Sequence, residues 1–234
     1  MHISKNIKVV DLGLYLEKYQ ALIVSDFHLG YEEYLNSKGV LIPKLSVNNV
    51  LKRLNKIILL VKPEIIIING DLKHEFGKIS NQEWRDSLRV LDFLSKKCDK
   101  LFLIKGNHDS ILEPIAMKRE IETVNSIVFG NILVIHGDKL VKIHSKVKTI
   151  IIGHEHPAVI IGDKTRIETY KCFLSGKYKR KNLIVQPSFN LITEGTNVLQ
   201  RKLLSPYLQQ DLKKFNVFIV SDKIYDFGKV NNFR

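Results

Sequence analysis

The chain has 234 residues, of which 44% are hydrophobic and 26% are charged. This length suits one sizeable domain, and this composition excludes a disordered or fibrous protein. Lysine and arginine total 37 against 24 aspartate and glutamate residues, a formal net charge of +13. Such a surplus favours polyanionic partners such as nucleic acid, although a generally basic proteome with solvated lysines explains it equally well.

The cysteine content and the longest apolar runs indicate the compartment. Cys98 and Cys172 are far apart and lack the spacing of a metal site, which excludes a disulfide scaffold and indicates a reducing environment. Residues 1–11 contain no apolar run of the secretory type. No apolar stretch approaches the roughly 20 residues of a membrane helix. We therefore expect a cytoplasmic protein that does not insert into membranes.

Short β-branched runs that end abruptly in polar clusters predict buried strands. In chain order the first five are Ala21–Val24, 65–68, 101–104, Ile132–Ile135 and 150–152. Helical patterns lie between them. Ser46 is placed to cap a helix that runs to about residue 61 before Pro63. The segment Ser80-Asn-Gln-Glu83 has the spacing of a capping box that opens a second helix.

After about Pro157 the pattern changes to strands without long intervening helices. These predicted strands are 159–161, 166–174, 183–185, 217–220 and 224–227. A tight turn at residues 221–223 joins the last two. We therefore predict an α/β fold whose second half is a mostly antiparallel sheet, packed against the first half in a single domain, 1–234.

Each of the first five predicted strands is followed by a polar cluster. The candidate residues in these clusters are Asp26, His28, Asp71, His74, Asn107, His108, His136, His154 and His156. In open α/β sheets, ligands bind beyond the carboxyl ends of the strands. Carboxylate oxygens and imidazoles bind Mn, Fe, Zn and related divalent ions, and the absence of cysteine from the clusters argues against a thiolate zinc site.

The spacing of these residues favours two ions. Asp26-x-His28 and His154-x-His156 each place two side chains on one face of an extended segment, because side chains alternate along a strand. Asp71 can offer one oxygen to each of two ions. Seven ligands are too many for one ion with an open position, but they suit two ions bridged by a carboxylate, the arrangement that clamps a phosphoryl group during displacement.

The ordered set Asp-x-His, Gly-Asp, Gly-Asn-His-Asp, His-Gly and Gly-His-x-His resembles the signature of the calcineurin-like metallophosphoesterase superfamily, and it spans residues 26–156. The resemblance implies a four-layer αββα sandwich, in which two packed mixed β-sheets are flanked by helices. It implies a dinuclear centre with divalent metal ions, for which Mn²⁺ is our first expectation and Fe, Zn, Ni, Co or Mg the alternatives.

The resemblance also implies roles for the individual residues. The residues similar to the ligands of one metal are Asp26, His28, Asp71 and His156. Those similar to the ligands of the second metal are Asp71, Asn107, His136 and His154. His108 resembles the family's catalytic histidine, which contacts the scissile phosphate and assists the leaving group without binding metal.

One position departs from many phosphatases of the family. Where those carry an acidic residue three positions after the Gly-Asp aspartate, this chain has His74. The variant is similar to SbcD-type repair nucleases, in which the corresponding histidine helps to orient phosphate, and the short chain looks most like small archaeal SbcD-related phosphoesterases. The chain lacks room for the DNA-capping domain of the repair nucleases, so processive action on duplex ends is not expected.

These observations predict a metal-dependent phosphoesterase, with a phosphodiesterase or nuclease acting on nucleic acid or nucleotides as the first interpretation. The alternatives are a phosphomonoesterase or protein phosphatase, and a metal-binding scaffold without catalysis.

A basic cluster at residues 177–181 is either a phosphate-backbone contact or a solvated loop. The loop 186–190 is either part of the active-site rim or simple turn chemistry. Asp109 and Asp138 either orient His108 or His136, or cap helices.

Overall fold

The computed structural model describes residues 1–42, 47–75, 79–109, 112, 116–162, 167–200 and 202–233. Within these residues the chain forms two mixed β-sheets, together with three α-helices that are described in full. The strands up to Val124 form the first sheet, and the strands from Ser126 onward form the second.

The first sheet has seven strands in sequence order among the described residues. They are β1 (His2–Ser4), β2 (Ile7–Val10), β3 (Gly13–Leu16), β4 (Ala21–Val24), β5 (Ile65–Asn69), β6 (Lys100–Ile104) and β7 (Glu122–Val124). Neighbours from β1 to β4 are antiparallel, whereas those from β4 to β7 are parallel. β4 is buried at every position, which explains its uninterrupted aliphatic sequence, since parallel strands are covered on both faces.

Three helices accompany this sheet: α1 (Tyr31–Ser37), α2 (Val47–Val61) and α3 (Asn81–Ser95). α2 and α3 pack against each other, and each buries one aliphatic stripe. α3 begins with the predicted capping box, because the Glu83 N–H donates to Ser80 Oγ over 3.0 Å and the Ser80 N–H donates to Glu83 Oε2 over 3.0 Å. α2 ends before Pro63 as predicted, and Ser46 lies outside the described residues.

The second sheet contains the remaining strands of the described chain. They are β8 (Ser126–Phe129), β9 (Ile132–Ile135), β10 (Thr149–Ile152), β11 (Pro157–Gly162), β12 (Ile167–Tyr178), β13 (Lys181–Val185), β14 (Thr196–Asn197), β15 (Asn216–Val220) and β16 (Ile224–Lys229). β9, β10 and β13 are parallel neighbours. β12 pairs antiparallel with β11, β13 and β15, and β15 pairs antiparallel with β16, so the second half is mostly antiparallel as predicted.

The two sheets share one apolar core. Ile23 and Ile67 of the first sheet belong to the same buried cluster as Ile151 and Ile184 of the second. A second cluster covers the outer face of the second sheet, where the segment between β14 and β15 buries Tyr207 in a short 3-10 turn. The fold class predicted from the sequence, an α/β fold with two packed mixed sheets, is confirmed.

The structure adds elements that the sequence patterns did not indicate. β1, β2 and β3 form a meander with turns at Asn6 and Asp11, whose φ angles of 59° and 54° suit these residue types. α1 has no apolar stripe, and Glu32 is its one buried residue, so periodicity did not predict it. Among the described helices, none is long and apolar enough to cross a membrane.

Candidate metal centre

The polar clusters predicted to carry chemistry meet at one edge of the two sheets, where β4, β5, β6, β9 and β10 end. Main-chain hydrogen bonds hold neighbouring loops together there. The Asp26 N–H donates to Gly70 O over 3.1 Å, and the Gly153 N–H donates to His136 O over 2.8 Å. The loops therefore stay in the register of the parallel strands that precede them, and their side chains converge.

Asp26, His28 and His156 form one group of possible ligands, with ligand atoms that all lie within 4.8 Å of one another. His28 Nε2 lies 3.2 Å from His156 Nε2, and His156 Nε2 lies 3.4 Å from Asp26 Oδ1. Two imidazole nitrogens at this distance share at most one proton between them, so at least one lone pair is directed into the gap.

Asp71, His136 and His154 form a second group by the same distance criterion. His136 Nε2 lies 3.2 Å from Asp71 Oδ2, 3.2 Å from His154 Nδ1 and 3.1 Å from Asn107 Oδ1. The other ring nitrogen of His136, Nδ1, lies 3.2 Å from the main-chain oxygen of Asn69. That contact orients the ring so that Nε2 points toward the other donors, as is usual for metal-binding histidines.

Asp71 lies between the two groups. Its Oδ2 is 3.2 Å from His136 Nε2 in one group and 3.7 Å from His28 Nε2 in the other. Its Oδ1 is used differently, because it accepts the main-chain N–H of His108 over 3.0 Å. One carboxylate oxygen therefore faces both groups while the other fixes the loop that follows β6.

His108 stands beside this oxygen, with His108 Nε2 4.0 Å from Asp71 Oδ2. Its Nδ1 donates a hydrogen bond to the main-chain oxygen of His74. The side chain of His74 packs against the rings of Tyr31 and Tyr34, with centroids 4.6 Å and 4.9 Å away. The structure thus brings His74 and His108 to the metal-ligand candidates, and it couples them through the main chain of His74.

The main chain is strained at five of these residues. Positive φ angles occur at Asp26 (57°), His28 (45°), Asp71 (49°), His154 (62°) and His156 (52°). The expectation that Asp26-x-His28 and His154-x-His156 each lie on an extended segment is therefore wrong. Both residues of each pair have a left-handed backbone conformation. Such conformations cost about 1–3 kcal/mol each and persist where the surroundings enforce them, commonly at functional sites.

Two glycines make the close approach of these loops feasible. Gly70 has φ +81°, and a Cβ built on it would lie 2.1 Å from His136 Nδ1. A Cβ on Gly106 would lie 2.1 Å from Asp71 Oδ1. The Gly-Asp and Gly-Asn elements of the sequence signature therefore have a steric reason, since any side chain would displace a candidate ligand.

Charge is concentrated in the buried carboxylates. Burial disfavours the ionised form of Asp26, but the neighbouring imidazoles of His156 and His136 outweigh this effect and hold its pKa below the usual value. The pKa of Asp71 is also lowered, because the hydrogen bond and charge of His136 outweigh burial. The same two carboxylates raise the pKa of His136 to about 9 against the effect of burial. His136 thus supplies a positive charge between two carboxylates.

The imidazoles of His28 and His154 favour the neutral form. Burial, together with the charge of His156, lowers the pKa of His28 to about 3. Burial and the charge of His136 lower the pKa of His154. Neutral imidazoles and ionised carboxylates are the forms that coordinate metal ions. The donor set of two carboxylates, one amide oxygen and four imidazoles fits hard to borderline divalent ions.

The loop 186–190, which sequence reasoning rated as turn chemistry, supports the Asp26–His28 segment from the second sheet. Asn190 Nδ2 donates to the main-chain oxygens of Phe27 (2.8 Å) and His28 (3.1 Å), and Ser188 Oγ donates to Asp26 O over 2.9 Å. Lys171 Nζ in turn donates to the main-chain oxygens of Ser188 (2.8 Å) and Asn190 (2.5 Å). The signal in the sequence was a polar Gln-Pro-Ser-Phe-Asn stretch directly after a strand.

Acidic residues next to the site hold its loops together. Asp109 accepts the main-chain N–H groups of Leu72 and Gly106, each over 3.0 Å, so it joins two ligand-bearing loops. Glu83 Oε1 accepts the N–H of His74 over 3.1 Å, which ties the capping box of α3 to the His74 loop. These hydrogen bonds do not test the two roles expected for Asp109, which are to orient His108 or His136 and to cap a helix, so both stay predictions.

The basic cluster 177–181 lies away from the metal-ligand candidates. It forms the hairpin turn between β12 and β13, at the amino end of β13. Asn182 pairs with Thr149 there, whereas Val185 pairs with Ile152 just before the Gly153-His154 loop. The basic cluster and the candidate metal centre are therefore at opposite ends of the same parallel strands.

Comparison with solved structures finds a similar fold in one nuclease and a weaker similarity to a phosphoesterase. The crystal structure of Pseudomonas putida nuclease MPE superposes with a TM-score of 0.65 at 18% identity, covering 95% of this chain and 100% of that one. Yfce, a phosphoesterase from E. coli, gives a TM-score of 0.44 at 12% identity over 90% of this chain and 97% of its own. No curated protein matches the sequence.

The family comparison covers more than half of the chain. Residues 19–164 match the model of the calcineurin-like phosphoesterases, and this range contains every candidate ligand as well as His74 and His108. Members of this family are hydrolases that use a dinuclear divalent metal centre. The chain belongs to the calcineurin-like phosphoesterase family and is a metallophosphoesterase.

Proposed function

We propose that this metallophosphoesterase is a phosphodiesterase or nuclease that acts on nucleic acid or nucleotides at a dinuclear metal centre. The observation that carries the proposal is the position of Asp71 Oδ2, 3.2 Å from His136 Nε2 and 3.7 Å from His28 Nε2. An oxygen that faces two groups of donors is placed to bridge two ions. The sequence led us to expect one oxygen of Asp71 for each ion, but Oδ1 accepts the main-chain N–H of His108.

The ligand assignment follows the two groups. One ion would be held by Asp26, His28, Asp71 and His156, and the other by Asp71, Asn107, His136 and His154. Bound there, two divalent ions would supply the positive charge that stabilises a phosphoryl group during in-line displacement. His136 would bind an ion in its neutral form, as coordination by imidazole requires.

His108 is the residue we assign to the substrate. Its Nδ1–H is held by the main-chain oxygen of His74, and this hydrogen bond directs Nε2 toward the metal-ligand candidates, 4.0 Å from Asp71 Oδ2. In the imidazolium form, Nε2 donates a proton toward the leaving oxygen or a hydrogen bond to a phosphate oxygen. The side chain of His74, which is stacked on the His108 ring with centroids 5.5 Å apart, helps to orient the phosphate.

A polyanionic substrate is favoured by charge and by His74. The chain carries a net charge of +13, and a histidine stands where many phosphatases of the family carry an acidic residue. Each phosphate of a nucleic acid strand carries one negative charge, and an imidazole at this position repels these charges less than a carboxylate does. The fold likeness to a protein described as a nuclease is consistent with this substrate class.

Three finer parts of the proposal concern the metal, the related proteins and the compartment. Mn²⁺ is proposed because oxygen and imidazole donors occur together without thiolates. A likeness to small archaeal SbcD-related phosphoesterases is proposed from the Ser25-Asp26-Phe27-His28 segment and His74. A cytoplasmic location is proposed because Cys98 and Cys172 are both free.

The test is hydrolysis after chelation and reloading with Mn²⁺, Ni²⁺, Co²⁺ or Mg²⁺. The panel contains aryl phosphate mono- and diesters, single- and double-stranded DNA, RNA, cyclic dinucleotides and phosphopeptides. We expect metal-dependent cleavage of diesters and of at least one nucleic acid. A preference for phosphopeptides or monoesters would establish a phosphatase instead, and a protein that binds metal but hydrolyses nothing would be a scaffold.

A further inference from the structure

A strongly basic surface lies at the edge of the second sheet that is opposite to the candidate metal centre. It is formed by the β12–β13 hairpin turn and by the loop that leads into β10. Together they line a concave region of about 830 Å³ whose residues are Ser145, Val147, Lys148, Lys177, Lys179, Arg180, Lys181 and Asn182. We refer to this region as the distal basic surface.

Among the described residues, no ion pair joins the lysines or the arginine of the distal basic surface to a carboxylate. The sequence has no aspartate or glutamate between Asp138 and Glu155, or between Glu168 and Glu194. The fold brings these two acid-free segments together, because Asn182 donates its N–H to Lys148 O over 2.8 Å. The residues that line the surface therefore add positive charges that repel one another in the free protein, and a polyanion would relieve this repulsion.

Part of the surface is held in place by its own hydrogen bonds. Lys181 Nζ donates to the main-chain oxygens of His144 (3.3 Å) and Val147 (2.5 Å), which fixes the loop against the hairpin. Lys177 Nζ donates to Asn182 Oδ1 over 2.5 Å. Lys148, Lys179 and Arg180 are exposed. The surface thus presents several exposed cations on a main-chain frame that these hydrogen bonds hold.

The distance to the metal centre follows from the strands between them. Gln186, just after β13, is four positions from Asn182, and His154, after β10, is five positions from Thr149. At about 3.3 Å per residue, the two ends are about 13–17 Å apart. Phosphates along one strand of a duplex are spaced by about 3.4 Å along the helix axis, so about four to five nucleotides of such a strand cover this distance.

We propose that the distal basic surface binds the phosphate backbone of a nucleic acid strand whose scissile bond lies at the metal centre. The inference rests on the proposed function for the identity of the substrate. It adds a second contact, which a nucleotide or dinucleotide bound at the metal centre cannot reach. The surface contributes affinity without sequence preference, because its contacts are cationic and directed at phosphates. Its lining residues offer no exposed apolar side chain for insertion into a membrane.

The test compares two variants that each lose four positive charges. One carries Lys148→Gln, Lys177→Gln, Lys179→Gln and Arg180→Gln in the distal basic surface, and it keeps Lys181 for its structural hydrogen bonds. The control carries Lys52→Gln, Lys56→Gln, Lys96→Gln and Lys100→Gln, which are exposed positions on or near α2 and α3. Both variants have the same net charge, so a difference in binding between them depends on where the charges were removed.

Binding of a fluorescent 20-nucleotide single strand is measured by anisotropy after chelation of metals, from 50 to 200 mM salt. Each phosphate contact contributes about 0.7 to the log–log salt slope for a single strand. We expect the magnitude of the salt slope to be smaller by up to about 3 for the distal variant than for the wild type. Across the fourfold salt range, this difference changes the ratio of the two affinities by about 50-fold. The control variant, and binding of a trinucleotide, should change little.

The outcomes separate this inference from the proposed function. Equal effects of the two variants on the 20-mer would overturn the inference, as would preferential binding of anionic lipid vesicles through the distal surface. Hydrolysis of a small aryl diester by the metal-loaded variants is measured in parallel and should match the wild type. If the metal-loaded wild type does not hydrolyse the aryl diester, the proposed function is contradicted and the binding result still stands.

Discussion

The main-chain oxygen of His74 accepts a hydrogen bond from Nδ1 of His108. Because a carbonyl oxygen can only accept, Nδ1 carries the proton and Nε2 is turned toward the metal centre, 4.0 Å from Asp71 Oδ2. Any residue at position 74 can supply this carbonyl. The orientation of His108 therefore depends on the path of the His74 loop, which Glu83 holds through the N–H of His74.

The first prediction concerns His108→Ala. We expect the variant to retain two metal ions per chain and to lose about 10²–10⁴-fold in kcat, the usual contribution of a general acid. The measurement is metal content after gel filtration beside turnover of an aryl diester. His74→Ala is the comparison, since it keeps the orienting carbonyl and should show the smaller loss, mainly in KM. Loss of metal from His108→Ala would show that this histidine is a ligand.

The second prediction concerns the proposed bridging residue. Asp71→Asn should lose metal and activity together, because the shared oxygen no longer carries a charge that both cations require. Asp99→Asn is a suitable control, as this aspartate is exposed and lies before β6 at the amino end of the first sheet. Metal titration by calorimetry and turnover are compared for the two variants. Full metal occupancy with Asp71→Asn would contradict the bridging assignment.

The sequence predicted the strands and the identity of the side chains at their ends. A strand between two layers must be aliphatic on both faces, so Ala21–Val24 and Ile132–Ile135 were located to the residue. Hard-ion chemistry restricts the donors to Asp, Asn and His, so the clusters after these strands were visible as well. The local sequence therefore indicates both where these strands lie and which donor side chains follow them.

The conformation of the ligand-bearing loops was not predictable from local sequence. Asp26 and His28 were expected on an extended segment, but both have left-handed φ angles. Their loop is held by Ser188 Oγ, which donates to Asp26 O from 162 positions away in the chain. A backbone fixed by distant hydrogen bonds leaves no local pattern. The same reason explains why the loop 186–190 was interpreted as a simple turn.

The third prediction tests this long-range support. Asn190→Ala removes two hydrogen bonds, one to the main-chain oxygen of Phe27 and one to that of His28, and the His28 oxygen keeps only the main-chain N–H of Tyr31. We expect a loss of about 1–3 kcal/mol in the free energy of unfolding. Metal affinity should fall about 10–100-fold, as for other residues that position metal ligands. Asn231→Ala, at an exposed position, is the control, and an unchanged metal affinity in Asn190→Ala would contradict the supporting role.

The fourth prediction concerns Lys171, whose Nζ contacts the main-chain oxygens of Ser188 and Asn190. Burial, reinforced by the charge of Arg53, lowers its pKa from 10.5 to about 7. Between these values the unfolded chain binds a proton that the folded chain does not, so folding is favoured as pH rises. The free energy of unfolding of the wild type should therefore rise relative to that of Lys171→Met from pH 7 to pH 9. Parallel curves in urea denaturation would show that the amine stays protonated in the fold.

The last prediction separates backbone strain from steric overlap at Gly70. Gly70 has φ +81°, and an added Cβ would lie 2.1 Å from His136 Nδ1. Gly39 has a similar φ of +84°, but a Cβ there would meet nothing within 4 Å among the described residues. Gly39→Ala should therefore cost only the left-handed conformation of a non-glycine residue, about 1–2 kcal/mol. Gly70→Ala should cost more and should also displace His136, so that metal affinity falls along with thermal stability. Equal losses of stability in the two variants, with metal affinity unchanged in Gly70→Ala, would show that the His136 ring moves aside without cost. In that case the glycine of the Gly-Asp element would be required for its φ angle alone.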